Sequence, residues 1–422
     1  MTSSQLQQDL YSGLCEIPLI DPHSHIEPLS PVSSTIDDIL GYHYYTELSH
    51  SAGMPQDYLA KDFPKAERVA RLLEYLPRID NTAQYSWFVE IAEVFLGLSK
   101  DQIGADNAAT VFQTSVERFQ HKDWEKTVFQ KTNLEKIFLT NEFDDPLAGF
   151  DPQVYVPCLR TDSLVFQIGN PAVQERLAKA TGITVENAQQ LKQAITALFQ
   201  HFLSKNAKAC AISLPPDFAP VAVDDANFDR LFAQKSRTAE EERLLACAVF
   251  WKLAEACREF SLPFDLMIGV NRRVYENGVF QGQDLFDQRT SLLQYRALFN
   301  AFPTVKFPVS VLTSGQNQEL VAYSWIFPNV IPNGHWWYSN IPAYIGRDLQ
   351  ERLQAVPKTK LIGYYSDAYK LEFVLPKFNM YRRILAQVLA ENFVQTGNLN
   401  ETQAIQLGKR LLRDNTREIF RI

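Results

Sequence analysis

Eight short apolar runs, each about the length of a strand, are strung along the chain with helical patterns in most of the gaps between them. They fall at 17–20, 134–140, 154–159, 210–214, 264–270, 307–312, 330–331 and 361–364. Strands separated by helices cannot pair as tight hairpins. They pair in parallel, in sheets whose faces the helices cover. Eight such units predict an α/β chain folded as a (β/α)8 TIM barrel. The helices carry their own signals. TAEEERLLACAVFWKLAEACREF (238–260) opens on Thr238 and has acids in its first turn, as a capped helix should. PKFNMYRRILAQVLAENFVQTGN (376–398) starts on proline and has Gly397 near its end. A doubly wound open sheet is the alternative. It would need a Gly-rich first turn, and the first turn here is DPHSHIEPLS (21–30).

The first gap breaks the rhythm. Residues 34–132 hold several helical segments and no convincing strand, which predicts a helical insertion over the barrel mouth. There is no internal repeat and no Gly/Ser linker, so residues 1–422 read as one domain carrying that insertion. At 46% hydrophobic and 21% charged residues the chain can build a large core. It has 41 Lys+Arg against 49 Asp+Glu and no long basic block, which argues against nucleic acid and anionic membranes as partners. No run of 18 apolar residues predicts a membrane span, and MTSSQLQQDLYSGL lacks the basic start and apolar run of a secretory signal. The five cysteines have no C-x-x-C spacing and read as reduced thiols of a cytoplasmic protein. A homo-oligomer is compatible with all of this.

In a barrel of this kind chemistry sits where strands end and βα loops begin. After the first run comes Asp21-Pro22-His23-Ser24-His25. Residues two apart on an extended strand face the same side, so His23 and His25 can ligate one divalent metal, and imidazole suits zinc and its neighbours. After the last run comes Asp367, which a closed barrel sets beside the first strand. It is placed to ligate the same metal, to act as a general base, or both. Arg160 follows the third run, shaped for a carboxylate or phosphate or else for a salt bridge to Asp162. Gly334-His335-Trp336-Trp337-Tyr338 follows the seventh, and its aromatics suit a pocket wall as well as a core. Ser34 and Asp37 suggest a helix start. Ile36, Leu40, Tyr44 and Leu48 would form its apolar stripe, with His43, Glu47 and His50 on a polar one. Composition alone favours a solvated edge for that polar stripe, and nearness to 21–25 favours function. His121 and His201 read as surface residues. No P-loop, G-x-G-x-x-G after a strand, G-x-S-x-G or H-E-x-x-H is present, which removes the usual support for nucleotide-driven chemistry, serine hydrolysis and zincin proteolysis.

Taken in order, these residues resemble the uronate isomerase family of the amidohydrolase superfamily, over nearly the whole chain. The resemblance rests on D-x-H-x-H at 21–25, His43-Tyr44 followed by Gly53, and Asn81 with Tyr85 and Trp87. It continues through Arg160, Gly334 with Trp336-Trp337, Ser366-Asp367, and YRRILAQVLAE at 381–391. It implies aldose–ketose isomerisation of a hexuronate of the glucuronate or galacturonate type through an enediol. It also implies one divalent metal, usually Zn2+ with Mn2+ or another ion as substitutes, held by His23, His25 and Asp367. Asp367 would then carry the proton, His43 and Tyr44 would serve the reacting oxygens, and Arg160 would hold the sugar acid.

The chain departs from the family at three places. Met267 stands where many members have histidine. Tyr369 and Ser314 stand where members often carry arginine. Losing two cations is serious for an anionic substrate, and Arg272 and Arg273 after the fifth run are candidates to compensate. A metal-dependent hydrolase or lactonase on the same scaffold, and a non-catalytic sugar-acid binding protein, are the competing readings. Retention of His23, His25 and Asp367 speaks against the second of these.

Overall fold

The computed structural model describes residues 2–60 and 62–422. Met1, and Lys61 within the expected insertion, lie outside the described residues. Parallel strands follow one another around the sheet in chain order. Leu19–Asp21 pairs Leu134–Phe138, which pairs Tyr155–Val156. The second and third strands continue past short breaks as Asn141–Glu142 and Cys158–Arg160. From there Ala209–Leu214, Phe264–Ile268, Phe307–Val311 and Val330–Pro332 add in sequence.

The eighth strand is reduced to one parallel bridge, Asn333 to Ile362. Its next residue, Gly363, donates its N–H to the Leu411 carbonyl at 3.1 Å instead of to a strand. A Cβ on Gly363 would meet the Tyr381 hydroxyl at 2.5 Å, so only glycine lets the chain pass. The ring closes a few residues later. Asp367 N donates to His23 O at 3.1 Å, and His25 N donates to Ala368 O at 2.8 Å. These bonds join the loops after the last and first strands, and they close the (β/α)8 barrel at its mouth.

The barrel interior is filled by Ile20, Phe138, Val156, Ala209, Ala211, Ile331 and Ile362, plugged from below by Ile419 and Phe420. The Phe138 and Phe420 rings stand 4.8 Å apart. Ala239–Phe260 begins as its sequence signals: Glu241 N donates to Thr238 Oγ1, and the Glu241 carboxylate accepts from Thr238 N at 2.9 Å. Among the described residues between Asp21 and Leu134 there are helices and no strand. One sequence expectation is corrected here. The stripe from Ile36 to Leu48 does not run along a single helix. It is divided between Asp37–Leu40 and His43–Ser51, because Tyr42 is extended and Gly41 ends the first helix. The Ser34 N–H and hydroxyl both donate to Asp38, not Asp37. Among the described residues no helix is long and apolar enough to cross a membrane.

Candidate metal centre and active-site cavity

The first strand delivers its polar residues into a buried seam. Asp21 accepts from Ser366 N at 3.0 Å and from the Ser366 hydroxyl, so the ends of strands one and eight are stitched before either reaches the cavity. Burial pushes Asp21 up to about 6, against the pull of those donors. Past the seam, His23, His25 and Asp367 each present one ligand atom, all within 4.8 Å of one another. His23 and Asp367 are buried, and His25 is partly open to the cavity. Among the described residues, His23 Nε2 and Asp367 Oδ1 have no hydrogen-bond partner although both are buried. Two imidazole nitrogens and a carboxylate oxygen converge, the nitrogen of His23 and the oxygen of Asp367 unsatisfied, and form a donor set that fits a divalent cation. Burial alone would raise Asp367. The two imidazoles that approach it, His23 Nε2 at 3.5 Å and His25 Nε2 at 3.3 Å, outweigh it and hold the carboxyl well below the usual carboxylate range, so it is ionised at neutral pH. Asp367 also has φ of +52°, a left-handed conformation that a residue with a Cβ disfavours.

A cavity of about 230 Å³ opens over this centre. Its walls include His23, His25, His43, Arg160, Arg272, Trp336, Trp337 and Asp367, drawn from loops after strands one, three, five, seven and eight and from the helical segment. Tyr44 is not among them. It packs behind His43, ring centroids 4.3 Å apart, with its hydroxyl unpaired and buried. The solvated edge that composition favours for the 43–50 stripe is not what forms at His43, which is 9% exposed. Burial lowers it to about 3, against the pull of Asp367, so its imidazole is neutral at pH 7. The Trp337 ring stands 5.7 Å from it and adopts φ of +43°, a second strained backbone at the mouth. Gly334 permits the loop that brings both tryptophans in. Its φ is +54°, and a Cβ there would meet the Tyr365 ring at 2.3 Å.

Arg160 makes the salt bridge to Asp162, its Nε donating at 3.2 Å, and also borders the cavity. Arg272 donates to Asp284 at 2.5 Å, and Arg273 N holds the other oxygen of that acid. Arg273 itself is absent from the cavity lining, while Met267 and Tyr369 are in it. Tyr369 packs on the His25 ring at 4.9 Å. Ser314 is buried elsewhere, bonded to Asp348 and Arg347. His335 is buried with neither ring nitrogen paired, away from the cavity. His121 is exposed, while His201 is partly buried against the Asp145 carbonyl.

Two contributors escape the sequence. Gln281 and Asp284 reach the cavity from a loop closed by the two-residue strands Val270–Asn271 and Leu285–Phe286, too short for any periodicity to reveal. Glu47, one turn after His43, lies against the Trp337 indole, and burial raises it to about 8. The polar stripe of the sequence includes it, but the spacing carries no sign of its burial.

Comparison with known proteins adds an independent line. A family model described as glucuronate isomerase matches residues 1–420. A uronate isomerase of Thermotoga neapolitana is 20% identical, over 97% of this chain and 96% of its own length. Among solved structures, the fold is similar to a uronate isomerase of Thermotoga maritima, with a TM-score of 0.90 at 18% identity over 99% of this chain and 97% of that one. A glucuronate isomerase of Caulobacter crescentus also gives 0.90, at 17% identity over 99% and 94%.

Proposed function

The chain belongs to the glucuronate isomerase family, and from that membership we propose that it interconverts an aldose hexuronate of the glucuronate or galacturonate type with its ketose. His23, His25 and Asp367 are assigned to one divalent metal, zinc in the first instance. The observation that carries the reading is the buried carboxylate of Asp367, facing two imidazoles in the wall of a cavity of about 230 Å³.

Aldose–ketose isomerisation moves a proton from C2 to C1 and another from the C2 oxygen to the C1 oxygen. When bound, a divalent metal supplies electrophilic stabilisation to the oxyanion that develops. Asp367 is ionised, and it is our choice for the base that lifts the C2 proton and returns it to C1. His43 is neutral, so it has one donor and one acceptor nitrogen to exchange a proton with the reacting oxygens. Tyr44 is assigned to hold the His43 ring from behind. Trp336 and Trp337 offer flat faces to the sugar ring. Arg160 and Arg272 are assigned to the substrate carboxylate. Arg160 uses Nε and Nη2 on Asp162, which leaves Nη1 for a ligand. Five free cysteines, four of them buried, support a reducing cytoplasmic setting.

Turnover of glucuronate and galacturonate, set against glucose and galactose under the same conditions, tests the substrate assignment. The acids should be converted and the neutral sugars should not. Equal rates for acid and neutral sugar would overturn the carboxylate role given to Arg160 and Arg272.

A further inference from the structure

We propose that Lys377 is a positioning residue for the metal centre: its buried ammonium grips the Ser366–Asp367 backbone from behind and so aims the Asp367 carboxylate at His23 and His25. The inference rests on the assignment of those three residues to a metal.

Lys377 lies near the start of the helix Val374–Leu389 and is fully buried. Its Nζ donates to Ser366 O at 2.7 Å and to Tyr42 Oη at 3.2 Å. The Tyr42 hydroxyl donates onward to Asp367 O at 3.0 Å. Two successive carbonyls are therefore held, one directly and one by relay. Their two amides are held as well: Ser366 N by Asp21 and Asp367 N by His23 O. Every backbone polar group of the dipeptide thus has a fixed partner. That is what keeping Asp367 in a left-handed conformation requires, since such strain persists only where the surroundings over-determine it.

The placement of the charge makes the same point. Both hydrogen-bond partners of Lys377 are uncharged oxygens. Rings of Trp87, Tyr42, Tyr44 and Phe373 surround Nζ, with centroids at 4.9, 5.0, 5.2 and 5.8 Å. Cation–π attraction offsets part of the desolvation of a buried ammonium. Packing alone would be served as well by an apolar chain of the same length. Tyr42 is also the residue that precedes the helix His43–Ser51, so one ammonium ties the end of strand eight to the segment that carries His43.

Lys377→Met, Lys377→Arg and Tyr42→Phe test this by zinc affinity, measured on metal-stripped protein by competition with a chromophoric chelator. Thermal melting reports folding in parallel. Lys377→Met should fold and melt somewhat below the parent, because the buried Ser366 carbonyl loses its partner, and should bind zinc roughly 10- to 100-fold more weakly, the usual effect of losing an outer partner of a ligand. Lys377→Arg should recover part of the loss. Tyr42→Phe should weaken zinc about fivefold, as for one hydrogen bond. A folded Lys377→Met protein with parental zinc affinity overturns the proposal. If that variant does not fold, parental affinity in Tyr42→Phe overturns it instead. Zinc affinity is read without a sugar, so a parent that binds zinc and converts no uronate counts against the isomerase reading and not against Lys377. A parent that takes up no zinc overturns the metal assignment and this inference with it.

Discussion

His25 Nε2 stands 3.3 Å from Asp367 Oδ1, although 342 positions separate the two residues in sequence (367 − 25). The contact joins the loop after the first strand to the loop after the last. It exists because the barrel closes there, through backbone hydrogen bonds between residues 23–25 and 367–368. Ligand pair and closing seam are one piece of structure.

His23→Ala removes a buried ligand atom that has no other partner. Metal content, measured by elemental analysis, and uronate turnover should be lost together. Asp367→Asn keeps the shape and loses the basic oxygen. Its kcat should fall by about 10²- to 10⁴-fold, with KM changed far less. Turnover that survives loss of metal in His23→Ala would contradict the metal assignment.

Arg160→Met and Arg272→Met each take one cation from the cavity wall. A charge-assisted hydrogen bond to a carboxylate is worth ~1.5–3 kcal/mol, which predicts a loss of roughly 10- to 150-fold in kcat/KM for a uronate. Steady-state kinetics should show the larger loss for Arg160, which is the less exposed of the two.

Glu47 predicts a pH dependence of stability. A free glutamate titrates near 4.5, and burial raises this one to about 8. Between those values the folded protein keeps a proton that the unfolded chain has released. The contribution of Glu47 is therefore fully present below about pH 4.5 and is lost as pH rises through about 8. Glu47→Gln should melt higher than the parent above pH 8, with the gap closing toward pH 4.5. A gap of constant size across that range would contradict the buried, protonated state.

Gly334→Ala should destabilise the fold by about 2–4 kcal/mol, from overpacking against Tyr365 together with a left-handed backbone. Denaturant midpoints check this. An unchanged midpoint would mean that the loop carrying Trp336 and Trp337 adjusts freely.

Much of this was legible before the fold, for definite reasons. The H-x-H pair sits at the end of an apolar run, and a closed barrel sets the first run beside the last, so His23, His25 and Asp367 converge by topology alone. Arg160, Trp336 and Trp337 follow from the same rule, because each comes just after a strand. What topology does not supply is what covers a helix from afar. His43 looked like one member of a polar edge, and it is buried by Trp337 and Tyr369, which arrive from loops about 300 residues later. Lys377 sits on a helix where a lysine would ordinarily face water, and only the packed structure reveals its aromatic surroundings. Asp284 was hidden for a third reason, since the strands that present it are two residues long.

The reaction assigned to this cavity moves a proton between adjacent carbons of a sugar acid. Zinc-loaded protein, with bound metal verified, can be mixed with glucuronate in D₂O and followed by proton NMR. The ketose signals should appear at the expense of the aldose, and in Asp367→Asn their growth should slow by about 10²- to 10⁴-fold. An unchanged aldose spectrum, with metal bound, would contradict this assignment.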